Sequence, residues 1–179
     1  MSLPQERIYT ISDIYLLPDG KRAELIRGEI YDMAPPSRIH QKILTFFSTE
    51  ILLYLRRKKG DCEIYPAPFA VFLDEKSNTY VEPDISVICD KEKLDEKGCH
   101  GAPDWIIEIV SPSSKKMDYY TKLSLYKEHG VRDYWIVDPM KQAVVVYNLE
   151  AEELPVIYRF SDSIRANIYD DLEITLAEM

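Results

Sequence analysis

The spacing of apolar residues changes along this 179-residue chain, and each change marks an element. From about Ile39 to Lys58, Ile43, Phe47, Ile51 and Leu55 recur every four positions, with Leu44, Phe46 and Leu52 widening the stripe. That period predicts a long helix with a buried face, ended by Gly60. Residues 10–17 read as a short helix capped by Thr10 or Ser12 and ended by "LPDG". "RAELIRGEIYDM" reads as two short strands turning at Arg27-Gly28. "CEIYPAPFAVFLD" holds two prolines, so a strand there lies at a sheet edge or is broken into pieces. "TYVEPDISVICD" alternates, with Val81, Pro83, Ile85 and Val87 on one side and Glu82, Asp84 and Ser86 on the other.

One stretch breaks its own pattern. In "DWIIEIVSPSS", Trp105, Ile106, Ile107, Ile109 and Val110 make a buried strand, yet Glu108 stands among them. A carboxylate stripped of water costs several kcal/mol unless a cation or hydrogen-bond donors meet it. After Ser111-Pro112, "SSKKMDYYTKLSLYKEHG" reads as a helix, from a serine cap to Gly130. "RDYWIVDP", "QAVVVYNLE" and "LPVIYRF" follow as strands. The expected architecture is a single α/β domain over 1–179. A mixed β-sheet flanked by helices carries an N-terminal hairpin and a C-terminal β extension.

Composition narrows the function. Apolar residues make up 46% of the chain, and no run reaches the ~18 residues of a membrane span. "MSLPQERIYTISD" has no apolar signal region, and Cys62, Cys89 and Cys99 are odd in number without paired spacing. Reduced thiols in a cytoplasm are therefore expected. Cys99-His100 lacks a second ligand pair at zinc spacing. A net charge of −9 opposes indiscriminate binding of phosphates, so a nucleic-acid partner needs local basic patches or bound metal. The dense basic run from Arg56 to Lys59 reads as a helix end favoured by the dipole, with a DNA contact as the other reading. Thirteen tyrosines and two tryptophans, with strands able to leave an apolar sheet face, make a homodimer the expected assembly.

Alternation puts Glu108 on one face with Asp104, Ile106 and Val110, and puts Asp84 on the polar side of the preceding strand. If those strands pair, the two carboxylates converge where a hard divalent cation such as Mg²⁺ would compensate them. The bland reading has Asp84 capping a turn and Glu108 meeting a surface lysine at an edge strand. Asp118 and Lys122 stand four apart on the next helix, with Tyr126 one turn on. Taken alone they read as a surface pair worth about 0.3–0.5 kcal/mol.

Together, "EPDISVI", "WIIEIVSPSS" and "DYYTKLSLYKEHGVRDYWIVDP" resemble the Uma-type endonuclease family, long catalogued as a domain of unknown function. That family is grouped with the PD-(D/E)XK nucleases and their restriction-endonuclease-like fold. "ELIRGEIYDMAPPSRIHQKI" matches its opening pattern, and the resemblance runs from about Glu24 to Tyr147. It implies that Pro83-Asp84 is the PD element and Glu108 the second acidic ligand, with the Ile109 carbonyl as a further ligand to Mg²⁺ or Mn²⁺. The broad superfamily pattern has lysine two residues after the glutamate, where this chain has Val110. The Uma-type pattern places it on the following helix, at Lys122. His40 recurs in the family too, as a helix cap, a packing residue or a site contact.

The resemblance thus implies a metal-dependent endonuclease acting on DNA, with Lys122 positioning the attacking water and Asp118 holding the ammonium. Two rival readings stand beside it. One is a nuclease-fold module that binds DNA or a protein without cutting. The other is a metal-free acid/base hydrolase using Asp84 and Glu108 as its carboxylate pair.

Overall fold

A computed structural model describes residues 7–76, 78–151 and 153–179. Residues 1–6, the start of the segment read above for a signal region, lie outside the described residues. In chain order the elements are α1 (Ile11–Tyr15), β1 (Ala23–Ile26), β2 (Glu29–Asp32), α2 (Arg38–Lys58), β3 (Glu63–Pro66), β4 (Val71–Asp74), β5 (Thr79–Val81) and β6 (Ile85–Ile88). There follow β7 (Leu94–Asp95), β8 (Gly98–His100), β9 (Trp105–Ile109), a π-helical segment (Met117–Lys122), α3 (Leu123–His129) and β10 (Asp133–Asp138). β11 (Ala143–Asn148), β12 (Val156–Arg159), β13 (Ile164–Arg165) and β14 (Glu173–Ile174) complete the chain.

The expected mixed sheet is present, in the order β12-β11-β10-β9-β6-β3. Only β9 and β10 run parallel in it, and the π segment and α3 make the crossover that parallel neighbours require. A second sheet, β2-β1-β5-β4-β8-β7, lies over one face. The pattern had read "TYVEPDISVICD" as one strand, but it divides into β5 of the second sheet and β6 of the first. The prolines act as expected: β3 is an edge strand, and the chain breaks between Pro66 and the cis peptide before Pro68.

Two cores sandwich the main sheet. On one face Trp105, Ile107 and Trp135 pack against Ile43, Phe47 and Ile51 of α2 and the small β13–β14 ribbon. On the other, Ile106, Tyr134 and Ile136 meet Leu125 and Tyr126 of α3 and the inner side of the second sheet. Ser37 caps α2 by accepting from the His40 amide, and Arg56, Arg57 and Lys58 fill its last turn. Leu52, assigned above to the buried stripe, is half exposed. Lys59, not Gly60, takes the left-handed cap at φ 55°. Because a Cβ is disfavoured there, Lys59→Gly is expected to raise stability by about 0.5–1 kcal/mol, read from the urea midpoint.

The thiol expectation is corrected. Cys62 and Cys89 lie at the ends of the paired strands β3 and β6 and form a disulfide, leaving Cys99 buried as the free thiol. Their 27-residue separation hides a proximity that only the strand pairing creates. His100 is engaged by Glu75 and Asp95. Among the described residues, no helix is long and apolar enough to cross a membrane.

Candidate active site

The site forms where the chain passes from β5 of the second sheet to β6 of the first. β6 pairs antiparallel with β9 through Ile85↔Ile107, Ser86↔Ile106 and Val87↔Trp105. One step further, this register sets Asp84 across from Glu108. Both carboxylates therefore stand at the C-terminal end of the parallel pair β9/β10, the end where open α/β sheets gather ligands. Because β9 is flanked by β6 and β10, the edge-strand alternative for Glu108 is excluded.

Glu108 is 3% exposed, and its compensation is visible. Its Oε1 accepts from Lys122 Nζ at 2.8 Å and from the Tyr126 hydroxyl at 2.7 Å. Lys122 Nζ also donates to Glu24 Oε1 at 2.9 Å, and Asp118 Oδ1 lies 4.0 Å away. The surface-pair reading of Asp118 and Lys122 is thereby overturned: they are 2% and 4% exposed. The cause is the crossover helix, which lays this face on the sheet and winds as a π-helix from Met117 to Lys122. Such local widening of a helix recurs at functional sites. Ser114 Oγ fixes the Asp118 carboxylate at 2.6 Å, and the Tyr134 hydroxyl binds the Asp118 carbonyl at 2.9 Å.

Asp84 is held differently. Its Oδ2 accepts from the Ile109 amide at 2.7 Å, and His40 Nε2 lies 3.1 Å from the same oxygen. His40, in the first turn of α2, combines two of its expected places: its amide donates to the capping Ser37 and its ring contacts Asp84. Among the described residues, Asp84 Oδ1 and Glu108 Oε2 have no protein donor. Val110 is buried in the apolar core beside α3, so position 110 cannot supply a cation.

Burial pushes the Glu108 carboxyl well above the usual carboxylate range, against the pull of the Lys122 ammonium, and the charges of Asp84, Asp118 and Glu24 add to the rise. Burial also dominates at Asp118, raised to about 6 although Lys122 and the Ser114 hydroxyl oppose the shift. Burial alone would lower Lys122, but Glu108, Glu24 and Asp118 hold it charged, well above its ordinary value. One ammonium thus faces three carboxylates, with Asp84 beyond them, and negative charge is left over.

A cavity of about 920 Å³ opens above this floor, between the chain from Met33 to Ser37 and the loop from Ser111 to Ser114. Its lining holds the carboxylates of Glu24, Asp32, Glu82, Asp84, Glu108 and Asp118 against the cations Arg22 and Lys122. Among the described residues, no three His, Cys, Asp or Glu side chains form a ready-made metal cage. The donor set nonetheless suits Mg²⁺, which takes one or two carboxylates and completes its shell with water and substrate phosphate. Two hard oxygens without donors, in a pocket with surplus negative charge, meet that requirement.

Glu24 is the functional candidate that the sequence reading missed. It sits in β1, buried between Ala23 and Leu25, and accepts from Lys122 and from the Glu82 amide at 3.0 Å. Its signal was the one that singled out Glu108, a carboxylate inside an apolar strand. Glu82 in turn receives Arg22 and the Tyr80 hydroxyl, which steadies the strand crossing.

Fold and site together give a mixed α/β protein with an acidic cluster and a buried lysine where the chain crosses between sheets. The chain belongs to the Uma2 family, described as putative restriction endonuclease, whose model matches residues 10–177. An uncharacterized protein of Synechocystis sp., slr1290, is 29% identical over 145 residues, covering 79% of this chain and 75% of that one. In fold the chain is similar to a crystal structure of a putative nuclease of DUF820 from Anabaena variabilis. The TM-score is 0.77 at 21% identity, with 94% of this chain and 96% of that one covered.

Proposed function

We propose that this protein is a metal-dependent endonuclease that hydrolyses DNA phosphodiester bonds. The observation that carries the reading is the convergence of Asp84, Glu108 and Lys122 on one cavity floor. Asp84 Oδ1, Glu108 Oε2 and the Ile109 carbonyl would hold Mg²⁺ or Mn²⁺, which polarises a bound phosphate and acidifies a bound water. His40 and the Ile109 amide orient Asp84 so that its other oxygen faces the substrate. Tyr126 and Lys122 do the same for Glu108. Two of the three Lys122 N–H groups are committed to Glu108 and Glu24, and with Asp118 beyond hydrogen-bond distance the third is available to the attacking water. Asp118 helps keep that ammonium charged. Lys115 and Lys116, exposed beside Ser113 and Ser114, would receive a flanking phosphate. A homodimer is part of this reading, supported by the open edge of β12, where Val156 and Ile157 are exposed.

The test is cleavage of DNA in Mg²⁺ or Mn²⁺ by the wild type, Asp84→Ala, Glu108→Gln and Lys122→Ala, with circular dichroism to confirm folding. Activity should disappear in folded Asp84→Ala and in excess chelator. Cleavage that survives chelation would refute the metal mechanism. Calorimetric Mg²⁺ binding lost in Asp84→Ala, with no DNA cut by the wild type, would leave the non-cutting module.

A further inference from the structure

We infer that the substrate of this site is DNA in single-stranded form, as a free, looped or flipped-out segment, and not the B-form duplex. The inference rests on the nuclease reading and adds the class of substrate to it. Two observations lead there.

The first is depth. The oxygens and the ammonium that must reach the scissile phosphate belong to Glu108 and Lys122, buried at the floor of the cavity, and to the mostly buried Asp84. At about 920 Å³ the cavity falls within the ~300–1,000 Å³ range of pockets that enclose small ligands. A duplex must bring its phosphate in on a stacked, paired strand. An unpaired strand can turn one phosphate inward.

The second is the chemistry of the walls. Above the acidic floor stand Tyr31, Met33, Pro35, Pro36, Pro112 and Met140. Met140 is 56% exposed, and Pro35, Pro36 and Pro112 are exposed as well. Tyr31 is the aromatic among these six, and an aromatic ring beside a backbone-binding site holds an unstacked base without dependence on sequence, while the prolines and methionines add apolar contact.

The experiment compares one DNA sequence presented as a single strand, as a duplex, and as a duplex with a central unpaired loop. The full chain is used in Mg²⁺ for cleavage, and Asp84→Ala for affinity by fluorescence anisotropy. The single strand is expected to bind at least tenfold more tightly than the duplex, and cleavage of the looped substrate to fall within the loop. Tyr31→Ala and Met140→Ala should each weaken single-strand binding at least fivefold while calorimetric Mg²⁺ affinity is unchanged. A duplex bound as tightly and cut as fast as the single strand overturns the inference and leaves the nuclease reading intact. Selective single-strand binding with no cleavage of any substrate supports the inference and removes the nuclease reading. Binding of no DNA form overturns the inference.

Discussion

Lys122→Met is expected to lower the unfolding free energy by about 3–5 kcal/mol at pH 7, the usual cost of removing one partner from a buried ion pair. Lys122 is the cation in contact with Glu24 and Glu108, both nearly inaccessible to water. Once it is gone, neither carboxylate can be solvated, and among the described residues only the Tyr126 hydroxyl and the Glu82 amide still donate to them. Urea denaturation followed by circular dichroism measures the loss. Part of it should return in Lys122→Met combined with Glu24→Gln and Glu108→Gln, because neutral amides no longer need the ammonium. A single-variant loss below about 1 kcal/mol would mean that water reaches the cluster in solution.

The second large effect is on the pH dependence of stability. The folded state holds the Asp118 proton up to about 6, whereas the unfolded chain releases it near 3.8. Raising the pH through that window deprotonates the unfolded chain first and favours it, so the protein loses stability as pH rises. A shift of roughly two units corresponds to about 3 kcal/mol. Asp118→Asn removes this contribution, so its stability relative to the wild type should climb by up to about 3 kcal/mol between pH 4 and pH 7 without divalent cations. Asp133 provides a second case away from the cavity, raised to about 6 by burial although Asn167 and Trp135 donate to it. A wild-type-minus-variant difference for Asp118→Asn that stays flat with pH, or slopes the other way, would show that its carboxyl is not desolvated.

How much of the site was legible depends on the range of each interaction. The position of β9 followed from its apolar run and that of β6 from period-two alternation, and the pairing that sets Asp84 across from Glu108 was the outcome expected of consecutive strands. Lys122 was found through the family pattern, because local reasoning placed it on a solvated helix face. A 3.6-residue period cannot announce a π segment, and Asp118 and Lys122 four apart look alike on a buried or an exposed face. Glu24 went unnoticed 84 residues before Glu108, although the same apolar flanks that marked Glu108 surround it.

The sequence by itself marked the long helix, the main strands and the anomaly at Glu108, since these rest on local periodicity and on the cost of burying a charge. Tertiary structure alone decided what meets that charge. Glu24, Lys122 and Tyr126 come from a hairpin and a crossover helix that touch only after the two sheets pack. The same holds for the disulfide between Cys62 and Cys89, made by a strand pairing that no spacing encodes. Burial and charge compensation are properties of the packed whole, because the dielectric around each group is set by neighbours distant in the chain.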